Sequence, residues 1–139
     1  MVLGIGLDLV TVSRFARMIE RYGERLLARL FTAGERAYCA RYTQPAQHFA
    51  ARFAAKEALL KTLGVPRGLS WHELEVVSAP SCAPQVHLSG RAAEVARQQG
   101  ITRLLLSLTH ERDLAAAMVV AEGVVQAGTD GGGTGGGTA

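Results

Sequence analysis

Scarcity is informative in this chain of 139 residues. It has only two cysteines, Cys39 and Cys82, without metal-ligand spacing, which points to free thiols in a reducing compartment rather than a disulfide framework. No stretch approaches the roughly 20 uncharged apolar residues that a membrane helix needs. The N-terminus shows no charged segment followed by an apolar core and a small-residue cleavage site, so a cytoplasmic location is expected. A phosphate-binding P-loop, a GxSxG elbow and an HExxH zinc pair are missing, and the four histidines do not cluster. Long Lys/Arg blocks are missing as well, which argues against a general nucleic-acid coat.

What is present suits one compact domain. Hydrophobic residues make up 48% of the chain, enough apolar material to offset chain entropy over most of its length. A domain of this size buries roughly two-thirds of its unfolded surface. Seven of the 16 glycines fall in the last dozen residues. Residues 1–125 are therefore expected to fold, and residues 126–139 to form a flexible Gly/Thr-rich tail. Charge is lopsided too: residues 1–67 carry a net +6 and residues 68–139 a net −3. Thirteen of the fifteen basic residues are arginine, a side chain that makes forked contacts to phosphate or carboxylate.

Along the chain, Val2 to Val10 alternates as a strand, with Ile5, Leu7 and Leu9 on one face and Gly4, Gly6 and Asp8 on the other. Glycines on a strand face admit close approach by another backbone, helix or ligand. Thr11 or Ser13 can cap the helix that follows. In it Arg14, Arg17, Arg21, Arg25 and Arg29 fall on one stripe about 120° wide, with Met18 inside it. Phe15, Ile19, Tyr22, Leu26 and Leu30 form an adjoining stripe expected to face the core, and Gly23 can split the run into two helices. An ordinary solvated face mixes signs. This one is nearly all arginine with one methionine, which suits an acidic protein surface that accepts a small hydrophobic knob.

Thr32 and Glu35 form a capping box ahead of a short helix. Pro45 opens a long alanine-rich helix over Ala46–Leu63 that Gly64 closes. Phe49, Phe53, Leu60 and Leu63 share one face, yet Arg52, Lys56, Glu57 and Lys61 also lie on this helix. Lys56 falls among the apolar positions, where an ammonium can snorkel from the core edge. Glu57 and Lys61 have the spacing of a surface ion pair. Leu74–Ser78 and Gln85–Ser89 read as strands joined by the Pro80–Pro84 loop, and Gly90–Gln99 as a helix stopped by Gly100. Arg103–Thr109 and Leu114–Ala121 read as a hairpin. Its last strand is apolar on both faces and so should be central or lie at a subunit contact.

If the alanine-rich helix packs over the glycine face of the first strand, Asp8 and Glu57 can meet. Two carboxylates with open positions suit a hydrated Mg²⁺ that ligand phosphates complete. Lys61 and Arg52 would neutralise the same phosphates. Ser107, Thr109 and His110, at a strand end, suit an anionic ligand.

Gly4-Ile-Gly-Leu-Asp8, Arg52-Phe-Ala-Ala-Lys56-Glu57-Ala-Leu-Leu-Lys61 and Ser107-Leu-Thr-His110 occur in this order. In combination they resemble the holo-[acyl-carrier-protein] synthases, the short 4′-phosphopantetheinyl transferases, over roughly residues 2–123. The resemblance implies an α+β fold, a small antiparallel sheet packed on the long helix, assembled as a homotrimer with shared active sites. It also implies an enzyme that moves phosphopantetheine from coenzyme A to a serine of an apo acyl carrier protein, releasing adenosine 3′,5′-bisphosphate. By the same resemblance Asp8 and Glu57 are Mg²⁺ ligands, Glu57 a candidate base and Lys61 a catalytic lysine. Arg52, Lys56, Gly64, Thr109 and His110 are assigned to coenzyme A. Arg14, Arg17, Met18, Arg21 and Arg25 are assigned to the carrier protein, whether of fatty-acid, polyketide or peptide synthesis. Two features depart from relatives: Leu105 stands where a histidine is frequent, and Pro80–Pro84 lacks their Gly-Lys-Pro-like turn. A carrier-binding module that lost catalysis is the alternative; it would need the arginines but not both carboxylates.

Overall fold

The computed structural model describes residues 1–127. Nearly all of the tail expected over residues 126–139 lies outside them. The order of elements is β1 (Val2–Thr11), α1 (Val12–Tyr22), α2 (Glu24–Leu30), α3 (Ala33–Ala40), α4 (Pro45–Thr62), β2 (Leu74–Val77), β3 (Gln85–Leu88), α5 (Gly90–Gln98), β4 (Ile101–Glu111) and β5 (Leu114–Gly123). A single 3-10 turn, Trp71–Glu73, precedes β2. One antiparallel sheet has the order β1-β5-β4, and β2 and β3 form a separate hairpin. The doubly apolar β5 is the central strand, as its composition requires.

Helix α4 crosses one face of the larger sheet, and glycine decides how close it comes. A Cβ at Gly6 would sit 1.9 Å from the Ala58 carbonyl oxygen, and one at Gly4 2.8 Å from that of Thr62. Neither side chain fits. On the helix side Ala54, Ala55 and Ala58 are fully buried, and β5 answers with Ala117, Val119 and Ala121. Small residues on both sides let backbone approach backbone, so even a one-carbon addition would force the layers apart. Aromatic rings fill the outer core: Phe15 stacks on Phe53 at 5.2 Å between centroids, and Phe31 lies 4.9 Å from Phe49.

Because the glycine face is the packed one, the apolar face of β1 points outward. Ile5, Leu7 and Leu9 are 62–65% exposed, and Leu105 and Met118 from the neighbouring strands are exposed on the same side.

Two local expectations need correction. Tyr22 does not face the core but is 52% exposed. Gly23, at φ 63°, bends the chain between α1 and α2, and Leu27 takes the buried position instead. Nor do Thr11 or Ser13 supply a side-chain cap to α1. The cap comes from the β4–β5 turn: Val12 N–H donates to the Asp113 carbonyl at 2.8 Å, and Ser13 N–H to Asp113 Oδ1 at 2.9 Å. Ser13 Oγ donates to the other carboxylate oxygen. A carboxylate at a helix N-terminus satisfies orphan donors and favours the dipole.

Candidate active site

Close packing of α4 on β1 brings Asp8 and Glu57 to one groove of about 340 Å³, lined also by Thr11, Arg14, Phe15, Met18 and Phe53. Two carboxylates therefore share space with Arg14 of the arginine stripe and with Met18 inside it. The Glu57 carboxyl is pushed above the usual carboxylate range, first by burial and second by the Asp8 charge, with Lys61 acting against both. Lys61 does not pair with Glu57 as helical spacing suggested. Its ammonium reaches across to β1 and donates to Asp8 Oδ1 and to the Leu7 carbonyl, each at 3.0 Å.

A second cavity, about 810 Å³, opens between α3, the start of α4, the β2–β3 loop and the end of β4. Arg52, Ser107, Thr109 and His110 all line it. Arg52 is 3% exposed; it donates to Ser78 Oγ at 3.0 Å and lies 3.9 Å over the Tyr38 ring. Its Nε is buried without a partner. Such a donor beside a cavity is suited to an anion. Tyr42 stacks on His48 at 3.6 Å and 17°, and its hydroxyl donates to that of Tyr38 at 2.9 Å. Burial, then the Arg52 and His110 charges, holds His48 below the ordinary histidine range. Tyr38, Tyr42, His48 and Ser78 were not anticipated; the only signal was the i,i+4 spacing of the two tyrosines.

Lys56, assigned to coenzyme A by the resemblance, lines neither cavity. Its side chain is wholly buried and its ammonium meets Glu35 Oε1 at 2.5 Å, the Leu30 carbonyl at 2.7 Å and the Trp71 carbonyl at 3.0 Å. All three N–H donors are engaged. Glu35 in turn accepts from Thr32 N–H, the expected capping box, and from Val76 N–H at 3.0 Å. The pair ties α3, α4 and β2 together, and burial lowers the ammonium from the ordinary lysine range, with Glu35 opposing. Gly64, at φ 81°, closes α4 and lines neither cavity. Arg14, Arg17, Arg21 and Arg25 are exposed, with Met18 36% exposed among them.

Comparison with known proteins identifies the family. Residues 4–119 match the 4′-phosphopantetheinyl transferase superfamily. The chain belongs to that family. A holo-[acyl-carrier-protein] synthase of Desulforudis audaxviator is 50% identical over 124 residues, 88% of this chain and 95% of that one. One from Clavibacter michiganensis is 48% identical over 123 residues, covering 88% and 98%. Among solved structures, the Neisseria meningitidis holo-[acyl-carrier-protein] synthase superposes with a TM-score of 0.78 at 31% identity, covering 88% and 99%. The Helicobacter pylori synthase, in complex with coenzyme A, gives 0.74 at 29% identity, covering 85% and 99%. The α+β transferase fold implied by the motifs is the fold of these proteins. Among the described residues no helix is long and apolar enough to cross a membrane.

Proposed function

We propose that this chain is a holo-[acyl-carrier-protein] synthase, transferring 4′-phosphopantetheine from coenzyme A to a serine of an apo acyl carrier protein. The observation that carries the reading is the Asp8–Glu57 groove walled by Arg14 and Met18, which sets paired carboxylates beside a basic docking ridge. The relatives, which are holo-[acyl-carrier-protein] synthases, support it, as does the coenzyme A complex of the Helicobacter protein.

In the reaction the serine oxygen bonds to the phosphorus next to pantetheine, the phosphoanhydride bond breaks, and adenosine 3′,5′-bisphosphate leaves. Glu57, made more basic by burial and by Asp8, takes the serine proton. Lys61 offsets charge on the transferred phosphoryl group, and Arg52 and His110 hold anionic groups of the nucleotide end in the larger cavity. Arg14, Arg17, Arg21 and Arg25 grip carboxylates of the carrier, and Met18 enters an apolar gap between its helices. Magnesium fits the donor set: two hard carboxylates face one groove, and the strain between like charges is what a cation relieves. Among the described residues no three His, Cys, Asp or Glu groups cluster, so ligand oxygens and water would complete the shell. When bound, the ion supplies charge stabilisation to the breaking phosphoanhydride.

The Arg52–His110 cavity and the Asp8–Glu57 groove share no lining residue. A homotrimer resolves this by setting the cavity of one copy beside the groove of the next. The outward face of Ile5, Leu7, Leu9, Leu105 and Met118 is the apolar surface that such assembly would cover. Sedimentation should return three chains per particle, and a monomer at micromolar concentration would end the trimer reading.

Mass spectrometry of an apo carrier protein incubated with coenzyme A, Mg²⁺ and this chain tests the activity. The expected result is covalent addition of one phosphopantetheine. No addition to any of several carriers would leave a binding module without catalysis as the correct reading.

A further inference from the structure

Lys61 holds a partner across the fold in place of the expected helical pair. Its Nζ lies 3.0 Å from Asp8 Oδ1 and 3.0 Å from the Leu7 carbonyl, and its side chain is 49% exposed while that of Asp8 is 17% exposed. The ammonium therefore occupies one of the two Asp8 carboxylate oxygens, and its charge opposes part of the negative charge of the Asp8–Glu57 pair that would attract a divalent ion. An exposed, flexible lysine is free to leave when a better anion is offered, since its stem spans several rotamers and its head is compact. Phosphate oxygens entering beside α4 are such an anion. Buried Lys56, five positions earlier on the same helix, has no comparable freedom.

We infer that Lys61 is the resident counter-cation of the Asp8–Glu57 pair and couples divalent-cation binding to phosphate binding, holding Asp8 Oδ1 in the free enzyme and releasing it when ligand phosphates accept the ammonium. This rests on the assignment of Asp8 and Glu57 as cation ligands. The consequence is reciprocal: with Lys61 on Asp8 the free enzyme binds cation weakly, and bound coenzyme A raises that affinity by the factor by which cation raises the affinity for coenzyme A. Removing the lysine frees Asp8 before any phosphate arrives, so this part of the coupling disappears. Direct contact between the ion and phosphate remains in both proteins and cancels in the comparison.

The test is Mn²⁺ binding, followed by electron paramagnetic resonance of the free ion, on the full chain with and without coenzyme A. Lys61→Met should tighten Mn²⁺ binding to the ligand-free protein by about tenfold, a size typical of coupling between sites. It should also shrink the further tightening produced by coenzyme A. Lys61→Arg, which retains the charge, should stay close to wild type without coenzyme A. Equal Mn²⁺ affinity in wild type and Lys61→Met, with binding lost in Asp8→Asn, would overturn the role of Lys61 while leaving the cation site standing. Absence of Mn²⁺ binding in every form, or binding untouched by Asp8→Asn, would instead overturn the site on which the inference rests.

Discussion

Lys56 and Lys61 stand five positions apart on one helix and differ in nearly everything physical. Lys56 is sealed, with its three donors spent on Glu35 and two carbonyls that join α2, α3, α4 and the turn before β2. Lys61 is half-exposed at a carboxylate that faces the site. One lysine belongs to the architecture and the other to the chemistry. Two identical side chains in one short motif need not share a role, and burial separates them, because a charge removed from water is tolerated only when its partners are permanent.

That contrast is best broken by treating both lysines alike. Lys56→Met leaves the Glu35 carboxylate buried without its cation, and loss of one partner from a buried pair costs about 3–5 kcal/mol. Urea unfolding should show an unfolding free energy lowered by that amount, with a correspondingly lower midpoint, and a native-like midpoint would refute an architectural role. Lys61→Met should do the opposite. Turnover falls by about 10²-fold, the size seen when one charge-stabilising donor is lost, while the urea midpoint stays within error of wild type. A stability loss as large as that of Lys56→Met would erase the distinction.

The smallest change in stability concerns their neighbour. In Glu57, burial and the Asp8 charge raise the carboxyl above its unfolded value. Ionising it therefore costs the folded state more than the unfolded one, so stability falls as pH rises through the folded value and the cost is absent when both states are protonated. Glu57→Gln should accordingly raise Tm slightly at pH 7, show no gain well below the carboxylate range, and abolish transfer. A lower Tm at pH 7 would mean that Glu57 is held by attraction rather than strained by it.

Much of the fold was legible locally. Pro45 and Gly64 bracket α4, Thr32 and Glu35 make their capping box, and the two apolar faces of β5 place it in the middle of the sheet. Of the site, Asp8, Glu57 and Lys61 were legible as a spaced set, and the glycines at 4 and 6 signalled the close approach that unites them. The rest was hidden by distance along the chain. Asp113 caps α1 from 100 residues away, and Glu35 meets Val76 across 41. From the sequence Asp113 reads as ordinary surface charge, and Glu35 as a capping residue with no partner beyond its own helix.

The sequence by itself determined where most helices and strands begin and end, because periodicity, local caps and glycine conformations are properties of neighbouring residues; α1, capped by remote Asp113, is the exception. It also determined which groups were available for chemistry. Only the tertiary structure decided that the glycine face of β1, not its leucine face, turns inward, and that of two lysines one is sealed and the other free. The physical reason is that burial and pairing are set by what lies across the fold. The partners that settle them, Ala58 for Gly6 and Glu35 for Lys56, are remote in the chain and adjacent in space.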